Sequence, residues 1–95
     1  MDQSISCGLP VTIFREGVAF VAYSPALDLS SCGSSEQDAK RMFGEAVQIF
    51  FEELMETNSI DAVLKDLGWT KAKGQFSPPE VVEQAVVNVM VPCTA

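Results

Sequence analysis

The side chains best suited to chemistry in this sequence are carboxylates, because the chain contains no histidine. Ser–His–Asp and Cys–His sites are therefore impossible, and the usual proton-transfer group of neutral pH is missing. Carboxylates could bind Mg²⁺ for phosphodiester cleavage. The carboxylates considered for this role are Asp28, Glu52, Glu53, Glu56, Asp61 and Asp66. Glu52, Glu53 and Glu56 also have the spacing of a solvated helix face, so we predict a non-catalytic protein with no metal or cofactor.

Cys32 and the segment between Trp69 and Phe76 offer two weaker signals. Cys32 lies just before a predicted helix, a setting that can activate a thiol, but we interpret it as a buried cysteine at the end of a strand. Trp69 and Phe76 flank Lys71 and Lys73, and aromatic side chains beside lysines can stack on nucleic-acid bases. Two lysines in an acidic chain support that role poorly. We therefore interpret both aromatic residues as anchors that attach a loop to the core.

The net charge of -7 indicates which classes of macromolecule this chain can bind. Thirteen acidic residues against six basic ones produce a field that repels phosphate and attracts a basic protein. We therefore expect no direct DNA binding by this chain. The opening residues MDQSISCGLP lack the features of a secretory signal, and no apolar run reaches membrane-spanning length. These observations predict a cytoplasmic protein that does not contact a membrane.

The pattern of apolar residues predicts the strands that would position these side chains. The first elements predicted are a strand at about 11–15, a tight turn with positive φ at Gly17 and a second strand at 18–24. The second strand is apolar on both sides, as expected at the covered centre of a sheet. Pro25 ends it, and the loop that follows contains a short third strand.

A long amphipathic helix is the clearest element of the sequence. Apolar residues at 39–55 recur at helical spacing over four turns, which predicts one face packed on the sheet and one in water. Either of two residue pairs can form a capping box at its start: Ser34 with Gln37, or Ser35 with Asp38.

The rest of the chain predicts a short helix, a loop and a strand. The short helix ends at Gly68, residues 70–80 form the loop, and the valine alternation of 81–91 indicates a final strand. The expected fold is a single α+β domain, 1–95, in the order β-β-β-α-α-β. Its helices pack on one face of a mainly antiparallel sheet.

The strand FVAYSP, the loop ending in CGSS and the helix EQDAKRMFGEAVQIFFEEL together resemble the HicB-type antitoxin domain, over about residues 11–92. The resemblance implies an oligomeric, non-catalytic domain related to a degraded RNase H-like fold. It also implies a partner, a small basic mRNA-cleaving toxin of the HicA type. Full antitoxins of this family usually add a C-terminal DNA-binding domain, and we predict none here. Residues matching the family's strand-and-loop signature are the candidate partner-binding residues: Tyr23, Pro25, Asp28, Cys32 and Gly33.

The sequence thus favours a HicB-like protein that binds and occludes a small basic toxin. One alternative is an RNase H-like metal-dependent nuclease or nucleic-acid-binding domain, which requires Asp28 and the helix carboxylates to converge on one ion. Another is a solitary homo-oligomeric module without a toxin partner. Such a dimer or tetramer would form through Phe50, Phe51 or the last strand.

Overall fold

The fold was obtained as a computed structural model that describes residues 6–94, so residues 1–5 and 95 of the predicted domain lie outside the described part. The class is α+β, as predicted, while the relation to RNase H stays a prediction. The elements of the described chain are β1 (Thr12–Glu16), β2 (Ala19–Ser24), β3 (Leu29–Gly33), α1 (Glu36–Glu56), α2 (Ile60–Asp66), β4 (Thr70–Ala72) and β5 (Gln75–Ser77).

Strands β1, β2 and β3 form an antiparallel sheet with β2 at its centre. The predicted central position of the second strand is therefore confirmed, and Gly17 has the expected positive φ, 60°. The prediction that β2 is covered on both faces is wrong. Ala22 is fully buried beneath α1, but Val21 and Tyr23 point to the other face and stay partly exposed.

The start of α1 uses the second of the two predicted capping pairs. The Ser35 side chain accepts a hydrogen bond from the backbone N–H of Asp38 at 3.0 Å, which satisfies one unpaired donor of the first turn. The Asp38 carboxylate in turn accepts the backbone N–H of Ser34 at 2.9 Å and pairs with Arg41 at 2.6 Å. These two partners, the Ser34 N–H first, lower the pKa of Asp38.

Both helices end in the same backbone motif. At the end of α2, the N–H of Gly68 bonds to the carbonyl of Lys65 and the N–H of Trp69 bonds to that of Leu64. Gly68 has φ 92°, which a residue without a Cβ adopts at little cost. The predicted end of the short helix is confirmed. At the end of α1, Asn58 takes the corresponding position, with φ 55°.

The core lies between the sheet and the helices in two groups of buried residues. Ala22, Ala39 and Phe43 join β2 to α1. The second group, Ala26, Leu27, Leu64 and Trp69, joins the β2–β3 turn to α2 and the residue after it. Its longest-range hydrogen bond runs from the Trp69 indole N–H to the Ala26 carbonyl at 2.8 Å. Trp69 is thus an anchor in the core, as predicted, and Phe76 packs beside the same group.

Two predictions for the C-terminal third are wrong. Residues 70–77 form the β4–β5 hairpin where a loop was expected, because Lys73 and Gly74 both have positive φ and make a tight two-residue turn. Conversely, residues 81–91 are not in a strand. They form part of the C-terminal segment, 78–94, which lies outside helices and strands because none of the described strands pairs with it.

Candidate partner-binding face

The sheet has one face that α1 does not cover. Because Ala22 points toward α1, the residues next to it in β2, Val21 and Tyr23, must point away. The register places Phe14 opposite Val21 on one side and Cys32 opposite Val21 on the other. We call the surface made by Phe14, Val21, Tyr23 and Cys32 the open face. Phe14 remains 48% exposed, so this face presents apolar surface to water.

The turn after β2 holds three of the five predicted site residues together. The N–H of Asp28 donates to the carbonyl of Pro25 at 3.3 Å, and Asp28 has φ 50°. Ser24, fully buried, accepts the Ala26 N–H at 3.3 Å through its hydroxyl oxygen. The Tyr23 hydroxyl then donates to the Asp28 carboxylate at 2.9 Å. Tyr23, Pro25 and Asp28 therefore form one ordered corner at the end of the open face.

The hydrogen bond to Asp28, together with the negative charge of that carboxylate, raises the pKa of Tyr23. Since Tyr23 is the only tyrosine of the chain, its ionisation can be followed by ultraviolet absorbance without interference from another phenol. We expect the Asp28→Ala variant to ionise at lower pH than the wild type. The stability contributed by the pair is present below the ordinary tyrosine pKa and is lost as the pH rises through the raised one.

The control for this titration is Asp66→Ala, which removes the same charge from an exposed position of α2. It should leave the Tyr23 titration close to that of the wild type. An identical shift in both variants would mean that net charge alone sets the phenol pKa, and an unchanged curve for Asp28→Ala would contradict the hydrogen bond.

Cys32 and Gly33 lie at the opposite end of the β2–β3 hairpin from this corner. Cys32 is exposed on the open face, so the interpretation as a buried cysteine is wrong: its side chain points away from α1. Gly33 pairs with Phe20 and faces α1. A Cβ at Gly33 would come within 2.6 Å of the Ala39 nitrogen. The glycine therefore permits close packing of β3 on α1.

The carboxylates considered for metal binding do not converge. Asp28 binds Tyr23, and Asp61 accepts a hydrogen bond from Lys71 at 3.1 Å. Within residues 6–94, no group of three or more acidic or cysteine side chains is placed to hold a metal ion. The arrangement that the nuclease alternative requires is thus not found in the described part of the chain.

No model of a known protein family, no curated protein and no solved structure matched this chain. None of the helices in residues 6–94 is long and apolar enough to cross a membrane.

The C-terminal end of α1, predicted to be an ordinary solvated face, carries a surplus of negative charge. Glu52, Glu53 and Glu56 are exposed and make no ion pair with any basic residue that the structure describes, whereas Arg41 pairs with Glu45 at 2.7 Å nearer the start. The last turn has no basic residue. The partial negative charge of a helix C-terminus opposes carboxylates there. A count of acids and bases per helix turn would have revealed this surplus.

Proposed function

We propose that this chain is a binding protein of antitoxin type that occludes a small basic protein without catalysing a reaction. The observation that carries the proposal is the set of unneutralised carboxylates at the C-terminal end of α1. The partial negative charge at the C-terminus of the helix repels the carboxylates of Glu52, Glu53 and Glu56. Their position therefore lowers the stability of the free protein. A cationic surface docked on this end would remove that cost.

The open face lies on the other side of the sheet from α1 and supplies a second, apolar contact surface for such a partner. Protein–protein contacts combine an apolar centre with a polar rim, and tyrosine suits the boundary because its ring is apolar and its hydroxyl is polar. Phe14 and Val21 provide the apolar surface, while Tyr23 and Asp28 provide a preformed polar corner beside it. Because the corner is held by its own hydrogen bonds, little conformational freedom is lost on binding.

The resemblance to the HicB-type domain implies which kind of basic protein the partner is. A toxin that cleaves mRNA must present a positive surface to phosphate, and an acidic protein that covers this surface blocks the toxin by charge and shape. The nuclease alternative receives no support from the separated carboxylates of the described residues. We therefore propose a HicA-like toxin as the partner.

The test uses a purified HicA-type toxin and a labelled mRNA substrate. We expect the wild-type chain to protect the RNA stoichiometrically at low salt and to co-elute with the toxin in size-exclusion chromatography. The triple variant Glu52→Gln, Glu53→Gln, Glu56→Gln should bind at least about tenfold more weakly, since the steering and pairing charges are removed. Added salt should weaken the wild-type complex in the same direction.

The matched control removes three exposed carboxylates elsewhere, in the variant Glu16→Gln, Glu36→Gln, Asp66→Asn. It has the same net charge as the helix-end variant but keeps the C-terminal end of α1 intact. Equal weakening in both variants would assign binding to total charge instead of this helix end. Failure of the wild type to protect RNA or to form a complex with the toxin at low salt would overturn the proposal.

A further inference from the structure

The C-terminal segment carries the largest run of exposed apolar side chains that the structure describes. Residues 81–91 contain a single charged residue, Glu83. Large apolar side chains exposed to water here are Val81, Val82, Val86, Val87, Val89, Met90 and Val91. Several are more than 85% exposed, including Val82, Val86 and Met90. Valine-rich segments of this kind are strand formers, and a surface this apolar is normally covered by a partner.

The sheet offers the segment an unused edge. The strand order is β1-β2-β3, so β1 pairs with β2 on one side only, and none of the described strands pairs with its other side. An uncovered edge strand presents unpaired backbone N–H and carbonyl groups that accept a further strand. Beside this edge lie the exposed ring of Phe14 and the guanidinium of Arg15, which makes no ion pair with a described carboxylate.

The path of the chain carries the second half of the segment away from its own domain. Pro78 and Pro79 form a stiff, extended exit from β5, and Pro79 lies over Gly68, about 3.4 Å from where a Cβ would stand. The described chain is 57 Å long but only 28 and 22 Å across, with a radius of gyration of 16.1 Å. A compact domain of this length has a radius of about 12 Å. Residues 79–85 still line a cavity with Pro10, Thr12 and Leu67, so it is the part of the segment after residue 85 that extends away from the globular body.

We propose that two copies of this chain exchange their C-terminal segments, each adding residues 81–91 as a strand to the β1 edge of the other. Each copy donates eleven residues and offers the five of β1, so sixteen residues per copy meet, somewhat fewer than the roughly 20–30 per side of a standard interface. The segment has one negative charge, and β1 carries Arg15 next to Glu16, so the edge has no net charge. Two surfaces with so little charge suit apolar strand pairing better than docking of the segment on the basic surface of a toxin. The exchange is reciprocal and closes on itself, as a two-fold dimer requires.

The test is made on the full chain alone, so it is independent of the toxin proposal. We expect light scattering to give twice the chain mass of 10.3 kDa, and hydrogen exchange to show protected amides in 81–91. Val87→Pro removes a backbone donor and should give a monomer with an unprotected segment. Val87→Thr keeps that donor and the branched shape and should stay dimeric. Val18→Asp, at a 94% exposed position outside the segment, should also stay dimeric.

The possible results of this test distinguish which segment, if any, pairs with the free edge of β1. A wild-type monomer with protected amides would show that the segment folds onto β1 of its own chain, and a monomer with unprotected amides would show that nothing covers it. A dimer whose segment stays unprotected, or a dimer that survives Val87→Pro, would mean that another surface joins the copies. Each of these results overturns the proposed exchange.

Discussion

Replacement of Trp69 by alanine is expected to lower the free energy of unfolding by about 3–5 kcal/mol, the usual cost of removing a large buried aromatic side chain. The indole packs against Leu64 and Ala26 and against the ring of Phe51, whose centroid is 6.4 Å away. Its loss leaves a cavity where the β2–β3 turn meets α2. The measurement is urea unfolding followed by far-ultraviolet circular dichroism, because the variant has no tryptophan fluorescence.

A milder variant keeps this prediction testable if Trp69→Ala does not fold. Trp69→Phe retains most of the ring but removes the N–H that binds the Ala26 carbonyl, and a buried acceptor without a partner costs about 1–3 kcal/mol. Val18→Ala, at a 94% exposed position, is the control and should change stability by less than about 0.5 kcal/mol. Equal stability of Trp69→Ala and Val18→Ala would contradict the role of the indole.

The second large effect is expected from Gly33→Ala, which should destabilise the protein by about 1–3 kcal/mol. The added methyl group would lie within 2.6 Å of the Ala39 nitrogen and 2.7 Å of the Asp38 carbonyl carbon. Both are backbone atoms of the first turns of α1, so relief requires the helix to move off the sheet. Urea unfolding at equilibrium measures the change.

The matched control is Gly44→Ala, the same substitution in the middle of α1. Nothing lies within 4 Å of the added methyl group there, and alanine is the better helix former by about 1 kcal/mol. The two substitutions should therefore shift stability in opposite directions. A stabilising or neutral Gly33→Ala would show that β3 and α1 are packed less closely than the structure indicates.

The first two-thirds of the fold could be predicted from sequence because its signals are local. The apolar pattern of 11–24, the positive φ at Gly17 and the cap at Ser35 each depend on neighbours in the chain. The third strand was harder to place, since its residues LSSCG are not typical of a strand. It forms because β2 offers an edge for pairing.

The C-terminal third shows where local patterns fail. Residues 81–91 have a strand pattern, but a strand exists only when another strand takes up its hydrogen bonds, and no described strand does so. The hairpin was missed for the opposite reason. Its strands have three residues each, too few for a periodic pattern, and the Lys73–Gly74 turn was the signal available.

The candidate site was predictable only in part. Tyr23, Pro25 and Asp28 do lie together, and the turn that joins them is encoded locally. The sequence did not predict which face of the sheet Cys32 and Gly33 lie on. A shift of one residue in the strand register would turn every side chain of the strand to the opposite face. Their role in binding a partner stays a prediction.

The lone indole also makes this protein a convenient subject for kinetic work. The hydrogen bond from Trp69 to Ala26 spans 43 residues, while β1, β2, β3 and α1 contact their neighbours in sequence. Contacts across long loops form late because chain closure is costly. In a stopped-flow experiment, fluorescence therefore reports the arrival of the C-terminal third, and circular dichroism reports the secondary structure formed before it.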